Sequence, residues 1–272
     1  MAIKADFHLH SYFSGDSTAP MEQMIQKGIA LGLSQMCFTE HVDYDFPVTG
    51  LDPEGKFECN VDSYLYELIG LREKYKDQIK ILFGLELGLQ PHLARRHAIL
   101  AKSYDFDFII GSSHICNGRD PYYPPFYEGR TEEAAYREYF ESIIENIKKF
   151  KNFDVYGHLD YVVRYGPNMD ADYTYEKYRD LLDEILNLLI AEEKGIEINT
   201  GGVKRGLKDL HPCKEIVKRY RELGGEIITI GSDSHSPETI TAHFERAASV
   251  LTECGFKYYT TFEKRLPEFH RI

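Results

Sequence analysis

The sequence predicts a single α/β barrel domain, and three observations lead to this prediction. Short apolar runs alternate with longer segments that carry apolar residues every three or four positions, along the whole 272-residue chain. No Ser/Gly-rich linker or shift in composition divides the chain, and this length is common for a single α/β barrel. Side chains that bind metals recur just after the apolar runs. We therefore expect one barrel domain over residues 1–272.

The elements follow one another as strand and helix. Seven apolar runs are the candidate strands: residues 2–7, 35–39, 79–85, 106–112, 153–157, 195–199 and 226–231. Seven segments have helical periodicity: residues 21–31, 61–75, 91–103, 131–150, 175–193, 212–223 and 237–254. Pro91, Pro212 and Pro237 fit the first turns of their helices because proline lacks a donor that this turn leaves unpaired. Repeated strand-helix units of this kind predict a parallel sheet.

Composition and charge exclude several classes of protein. The chain has 43% hydrophobic and 28% charged residues, which is typical of a globular domain. A net charge of −12 opposes non-specific binding to nucleic acid or anionic membranes. The five cysteines include no C-x-x-C pair, so we expect free thiols. The sequence also shows neither an apolar signal core nor a membrane-length apolar run, and we expect a cytoplasmic protein. It leaves the oligomeric state open.

Histidines and carboxylates cluster at the ends of the candidate strands. Six of the eleven histidines lie at or just after a strand: His8, His10, His41, His114, His158 and His235. Asp16, Glu86 and Asp233 occupy matching positions. The carboxyl ends of all strands in a parallel barrel point to one face, so these groups converge. Imidazole and carboxylate are preferred ligands of zinc, iron and manganese, and the set predicts a metal site.

Taken singly, each of these motifs is weak, and His8-Leu9-His10 alone is more typical of a packed or surface pair. The full set comprises His8-Leu9-His10, Thr39-Glu40-His41, Gly84-Leu85-Glu86, Ser113-His114, Gly157-His158-Leu159-Asp160 and Gly231-Ser232-Asp233-Ser234-His235. This set resembles the PHP (polymerase and histidinol phosphatase) superfamily. Its spacing is similar, over nearly the whole chain, to that of the monofunctional histidinol-phosphate phosphatases. The resemblance implies a distorted (β/α)7 TIM-like barrel with a trinuclear metal site.

The resemblance also implies a ligand set for each of three divalent ions, which would be zinc, iron or manganese. The first ion would be held by His8, His10, Glu86 and Asp233. The second would be held by the bridging Glu86 with His114 and His158, and the third by Asp16, His41 and His235. Many superfamily members have histidine where this chain has Asp16, and a carboxylate at this position can still bind a metal ion.

Such a site is suited to cleaving a phosphate monoester. Three divalent ions and three carboxylates leave a formal charge of about +3, which attracts a phosphate dianion. We expect a hydroxide between the first two ions as nucleophile and the third ion as phosphate anchor. The residues expected to be catalytic are Glu86, Asp233, His235 and Arg164. The implied reaction converts L-histidinol phosphate to L-histidinol and phosphate in histidine biosynthesis.

Basic residues near the strand ends are candidate substrate contacts. Arg164 lies six residues after His158 and is the leading candidate for a bidentate phosphate contact. Lys204 and Arg205 follow the sixth strand, and a solvated basic turn explains them equally well. The long loops 42–60 and 115–130 should lie over the active face. The aromatic stretch 122–127 within the second loop is interpreted as packing rather than as a lid.

Other polar residues are given secondary roles. We expect Asp160 and nearby serines to orient ligand imidazoles: Ser112, Ser113, Ser232 and Ser234. Cys116 is expected to be a buried thiol outside the site. The remaining histidines should mostly be surface or packing residues: His92, His97, His211, His243 and His270.

Three alternatives stay open at this stage. The same site is compatible with another small phosphate monoester or a nucleotide as substrate. A metal-dependent amidohydrolase would also place histidines and aspartates on one barrel face. A non-catalytic metal-binding module is the third alternative. The chain has no G-x-x-x-x-G-K-[ST] loop and no G-x-G-x-x-G motif, which disfavours nucleoside triphosphates and dinucleotides as ligands.

Overall fold

The computed structural model describes residues 3–272. It contains seven parallel strands that pair in chain order: β1 (Ala5–Leu9), β2 (Gln35–Val42), β3 (Lys80–Gly88), β4 (Phe108–Ser112), β5 (Val155–Tyr156), β6 (Gly195–Asn199) and β7 (Ile228–Gly231). The helices are α1 (Met21–Ala30), α2 (Val61–Tyr75), α3 (Ala94–Ser103), α4 (Glu132–Lys149), α5 (Arg179–Ala191), α6 (Gly201–Lys204), α7 (Lys214–Glu222) and α8 (Phe244–Glu253). The predicted alternation of strand and helix is confirmed.

The first and last strands of the sheet approach each other and nearly close it into a barrel. Leu9 forms a parallel bridge with Ser234. The amide of His10 donates to the Ser234 carbonyl at 2.9 Å, and the amide of Asp233 donates to the His8 carbonyl at 2.9 Å. We call this contact the β1–β7 seam. The chain is thus a (β/α)7 TIM-like barrel, as predicted.

Local sequence signals explain where several helices begin. The Asn60 side chain accepts from the Ser63 amide at 2.9 Å and caps α2, and the Thr131 side chain caps α4 in the same way. Alpha-helix α4 has two glutamates in its first turn and two lysines in its last, which complements the helix dipole. These signals determine where the helices begin and end, and the strands between them are almost entirely buried.

Some boundaries differ from the sequence-based expectation. The predicted strand 2–7 begins at Ala2, which lies outside the described residues, and β1 continues through Leu9. The predicted helix 237–254 is divided into a 3-10 turn, Pro237–Thr239, and α8, because the chain bends at His243 with φ 61°. The fifth strand retains only two paired residues.

A C-terminal hairpin that the sequence did not indicate covers the amino end of the barrel. It consists of β8 (Tyr258–Glu263) and β9 (Leu266–Arg271). Phe262 packs on Phe108 with ring centroids 5.1 Å apart, and the Arg265 amide donates to the Asp107 carbonyl at 2.9 Å. The hairpin covers the end of the barrel opposite the predicted site. Within the part of the chain described, no helix is long and apolar enough to span a membrane.

Candidate metal centre

The structure brings all nine predicted ligand residues together at the carboxyl ends of the strands. Glu86, fully buried at the end of β3, lies at the centre of this group. Its Oε2 is 3.1 Å from His8 Nε2 and 3.5 Å from His10 Nε2. Its Oε1 is 2.8 Å from His158 Nε2 and 3.3 Å from His114 Nε2. The two oxygens of one carboxylate thus face two different pairs of imidazoles.

Asp233 completes the first of these pairs. Its Oδ1 lies 3.7 Å from His8 Nε2 and 3.6 Å from His10 Nε2. Asp233 has φ 54°, a left-handed conformation that aspartate tolerates better than most residues. The hydrogen bond that the Asp233 amide donates to the His8 carbonyl across the β1–β7 seam holds Asp233 in this conformation. Local backbone strain is therefore stored at the point where the carboxylate enters the cluster.

The third predicted group is more open. His235 Nε2 lies 3.1 Å from Asp16 Oδ2, and His41 Nε2 lies 3.8 Å from Asp16 Oδ1. The Asp16 side chain is 39% exposed, whereas Glu86 is fully enclosed. His41 also faces the centre, because its Nδ1 is 3.1 Å from Glu86 Oε2. His41 therefore lies between the third group and the other two, whereas the sequence-based assignment gave it to the third alone.

Two buried carboxylates that the sequence analysis missed hold ligand imidazoles from outside the cluster. His8 Nδ1 donates to Glu197 Oε1 at 2.6 Å, and His114 Nδ1 donates to Asp43 Oδ1 at 2.7 Å. Each bond fixes the tautomer that leaves Nε2 free to face inward. Only glycine fits at position 231, because a Cβ there would lie 2.3 Å from Glu197 Oε1. Glu197 lies in β6, and its inward-facing position in a buried strand was the available signal.

Hydroxyl and carbonyl groups orient two further imidazoles. His10 Nδ1 lies 3.0 Å from Ser14 Oγ, which itself donates to the buried Glu40 at 2.6 Å. Ser14 Oγ therefore accepts the His10 proton. His235 Nδ1 donates to the Asp233 carbonyl at 3.0 Å. Both rings again present Nε2 to the cluster.

Electrostatic coupling within the cluster is strong. Burial alone would lower the pKa of His114, but the charges of Asp43 and Glu86 outweigh it and raise the pKa to about 10. Burial and the neighbouring His41 and His235 lower the pKa of His10 to about 3. Burial opposes ionisation of Glu86, yet the surrounding imidazoles hold the pKa of Glu86 well below its usual range. The positive charge that a protonated imidazole supplies to these carboxylates could equally be supplied by a bound metal cation.

The geometry fits divalent metal ions better than a hydrogen-bond network. Buried ring nitrogens that face the cluster make no hydrogen bond: Nε2 of His10, Nδ1 of His41 and Nε2 of His235. Two of them lie 3.1 Å from a carboxylate oxygen without hydrogen-bond geometry, so both atoms point at a common space. Ligands of a tetrahedral ion with bonds of about 2.0–2.1 Å lie roughly 3.3 Å apart. The measured N to O separations around Glu86 cluster near this value.

Comparison with known proteins agrees with this reading of the site. The PHP domain model matches residues 6–201. The chain belongs to the PHP family. A histidinol-phosphatase of Lactococcus lactis subsp. lactis (strain IL1403) is 35% identical over 260 residues, which covers 95% of this chain and 94% of that protein. A probable histidinol-phosphatase of Clostridium acetobutylicum is 33% identical and covers 97% of this chain and 98% of its own length.

A solved structure is also similar to this PHP chain. The crystal structure of histidinol phosphate phosphatase from Lactococcus lactis, complexed with zinc, L-histidinol and phosphate, has a TM-score of 0.87 and 34% sequence identity. The match covers 97% of this chain and 98% of that one. The agreement therefore extends over nearly the whole length of both chains.

Arg164 lies at the edge of the cluster of predicted metal ligands. It ends a 3-10 turn, Tyr161–Arg164, and both terminal nitrogens are 3.4 Å from Asp233 Oδ2. Its Nε donates to His211 Nε2 at 3.3 Å, and His211 Nδ1 in turn donates to Asp160 Oδ1 at 2.5 Å. Most of the five remaining histidines were expected to be surface or packing residues, and His211 is an exception, because it is buried and contacts Arg164. Asp160 orients this histidine rather than one of the predicted ligands.

The other residues with predicted roles are two basic residues, proposed as substrate contacts, and four serines, proposed as orienting groups. Lys204 and Arg205 are exposed and line the cleft that opens beside Arg164. Ser112 Oγ donates to Glu86 Oε1 at 2.7 Å, so it contacts a candidate ligand carboxylate rather than an imidazole, and Ser113 bonds to Tyr156. Ser232 Oγ donates to Ser234 Oγ at 2.7 Å.

Outside the cluster, Cys116 is buried and its thiol faces the Glu138 carbonyl. His97 is packed between Tyr44 and Phe150, as expected of a core histidine. Neither residue belongs to the candidate metal centre.

A cavity of about 460 Å³ extends from the predicted metal ligands between the loops 42–60 and 115–130. The loop 42–60 contributes Phe46 and Phe57, and the loop 115–130 contributes Tyr122 and Tyr123. Phe126 is buried, and Arg119 and Arg130 both pair with Glu138 beside it. These anchors agree with the interpretation of this loop as a packed wall.

Proposed function

We propose that the chain is a metal-dependent histidinol-phosphatase, which hydrolyses L-histidinol phosphate to L-histidinol and phosphate in histidine biosynthesis. One observation carries the proposal. The chain shares its fold, at 34% identity over nearly its full length, with an enzyme whose crystal structure holds zinc, L-histidinol and phosphate, and nine candidate metal-binding side chains of this chain converge at one end of its barrel. We further propose one PHP domain over residues 1–272.

Three divalent ions are proposed for this centre. His8, His10, Glu86 and Asp233 would hold the first, and Glu86, His114 and His158 the second, because the facing nitrogen and oxygen atoms within each set lie 2.8–3.7 Å apart. Asp16, His41 and His235 would hold the third, with His41 also within reach of Glu86. When bound, such ions acidify water and neutralise phosphate oxygens, which hydrolysis of a phosphate monoester needs.

The protein side chains contribute binding and orientation. Arg164 is fixed by two neighbours, so its guanidinium reaches the cluster in one orientation and can hold a phosphate bidentately. Asp233 contacts the same guanidinium and the ligand imidazoles, and so couples phosphate binding to the centre. We propose Lys204 and Arg205 as outer phosphate contacts, because both border the adjoining cleft. Glu86 and His235 act as ligands rather than as proton donors.

The test measures metals and turnover in one preparation. Protein purified without chelator is assayed for bound zinc, iron and manganese, and for phosphate release from L-histidinol phosphate beside generic phosphate monoesters. We expect about three metals per chain and a strong preference for L-histidinol phosphate. Equal turnover of all monoesters would contradict the substrate, and turnover retained in a folded Glu86→Gln variant would contradict the metal assignment.

We also propose a cytoplasmic location. All five cysteines are free, which supports a reducing compartment. Fractionation of source cells with antibody detection would test it, and recovery outside the cytoplasmic fraction would contradict it.

A further inference from the structure

Asp120 is a buried carboxylate in the wall of the active-site cavity, and it has no charged partner in the part of the chain that the structure describes. It is 8% exposed and lines the cavity together with the metal cluster. Within residues 3–272, its one side-chain hydrogen bond comes from the Tyr122 amide to Oδ1, at 2.7 Å. Among residues 3–272, no lysine, arginine or histidine nitrogen forms an ion pair with it. A buried carboxylate in this condition costs free energy unless a cation from outside satisfies it.

Basic residues on the two loops are already engaged elsewhere. Lys56 donates to Asp52 at 2.8 Å. Arg119 and Arg130 pair with Glu138. The other carboxylates on this side of the cavity are also occupied, because Asp43 holds His114 and Asp52 accepts from Lys56 and Tyr123. Asp120 is thus the carboxylate in the cavity wall that the protein leaves without a cation.

Burial has a measurable consequence for this group. It raises the pKa of Asp120 to about 7, even though the charge of His114 acts to lower it. The aromatic rings of Tyr123 and Tyr161 line the same cavity and favour an organic cation through their faces. The cavity is therefore polarised, with Arg164 and the metal ligands at one side and an unpaired carboxylate among aromatic rings at another.

We propose that Asp120 binds a cationic nitrogen of the substrate and so determines specificity for amino-alcohol or imidazole phosphates. The inference rests on the proposed function and adds a recognition residue to it. L-histidinol phosphate carries an ammonium and an imidazole that can be protonated, and its phosphate is anionic. Its charges match the polarised cavity, whereas a neutral alcohol phosphate leaves Asp120 unpaired.

The test compares substrates in Asp120→Asn and in a control, Asp105→Asn, which changes an exposed aspartate. The asparagine oxygen can still accept from the Tyr122 amide, so the loop keeps its bond. The substrates are L-histidinol phosphate, phosphoethanolamine, imidazolylpropyl phosphate and p-nitrophenyl phosphate. We expect kcat/KM for L-histidinol phosphate to fall roughly 10- to 100-fold, mainly through KM, with p-nitrophenyl phosphate unchanged. The control should behave as wild type.

The two analogues identify the nitrogen. A loss confined to phosphoethanolamine assigns Asp120 to the ammonium, and a loss confined to imidazolylpropyl phosphate assigns it to the imidazole. An equal loss on all four substrates, or no loss on L-histidinol phosphate, overturns the proposal. If wild type itself shows no preference for L-histidinol phosphate, the proposed function fails instead. Asp120→Ser, which keeps an oxygen acceptor, replaces the asparagine variant if thermal unfolding shows that the latter does not fold.

Discussion

Replacing Glu197 by glutamine tests how far the buried outer carboxylates control the metal centre. Glu197 accepts three bonds, from His8 Nδ1 at 2.6 Å, from the His158 amide at 2.9 Å and from Asn199 Nδ2 at 3.2 Å. Glutamine has one oxygen, so at least one of these donors must face its amide NH2. An unpaired buried donor costs roughly 1–3 kcal/mol, and loss of such an outer ligand partner lowers metal affinity about 10- to 100-fold. The two figures agree, because tenfold corresponds to about 1.4 kcal/mol.

The assay separates metal affinity from folding. Chelator-stripped Glu197→Gln is titrated with zinc against a chromophoric competitor, and thermal unfolding is followed without metal. We expect one class of zinc site to weaken by about 10- to 100-fold and the metal-free unfolding temperature to fall by roughly 2–10 °C. Glu245→Gln, on the exposed face of α8, is the matched control and should change neither quantity. Wild-type zinc affinity in a folded Glu197→Gln protein would refute the reasoning.

Three further outcomes are expected. Asp160→Asn weakens the hydrogen bond that holds His211 against Arg164, so KM for L-histidinol phosphate should rise about tenfold with a smaller change in kcat. An unchanged KM would argue against a role of the Asp160, His211 and Arg164 contacts in substrate binding. Because the folded pKa of Asp120 is raised to about 7, its contribution to stability is present below pH 4 and is lost by pH 7. The free energy of unfolding of wild type in urea should therefore fall by about 4 kcal/mol relative to that of Asp120→Asn between these pH values. Parallel pH curves for the two proteins would contradict this. Chelation should increase hydrogen exchange at the two amides of the β1–β7 seam but not between β2 and β3, and uniform protection would count against a metal-stabilised seam.

The sequence was sufficient for the fold and for the convergence of the nine candidate ligands at one end of the barrel, because both depend on position within the strands. A histidine or carboxylate that directly follows a buried parallel strand has one destination, the carboxyl end of the barrel. His8 and Glu86 are separated by 78 positions, yet their atoms lie 3.1 Å apart for this reason.

Residues whose roles depend on loop paths were not accessible in this way. His211 lies before a helix, and it enters the site because the chain pairs with Asn199 through two backbone hydrogen bonds. Asp43 and Asp120 lie in long loops whose course depends on tertiary packing. The C-terminal hairpin was missed because its strands are short and β9 is largely exposed, so it lacks a continuous apolar run.

Barrel closure and metal binding depend on the same residues. Between β2 and β3, eight residue pairs are in register, whereas the β1–β7 seam has one bridge flanked by two backbone hydrogen bonds. Those amides belong to His10 and Asp233, whose side chains face the first proposed metal. Without a cation, the seam brings buried carboxylates and imidazoles together at a cost in desolvation that the few backbone bonds must offset. A divalent ion held by His10 and Asp233 would offset that cost and would link the first strand to the segment after the last, so we expect metal binding to stabilise barrel closure as well as to serve the reaction.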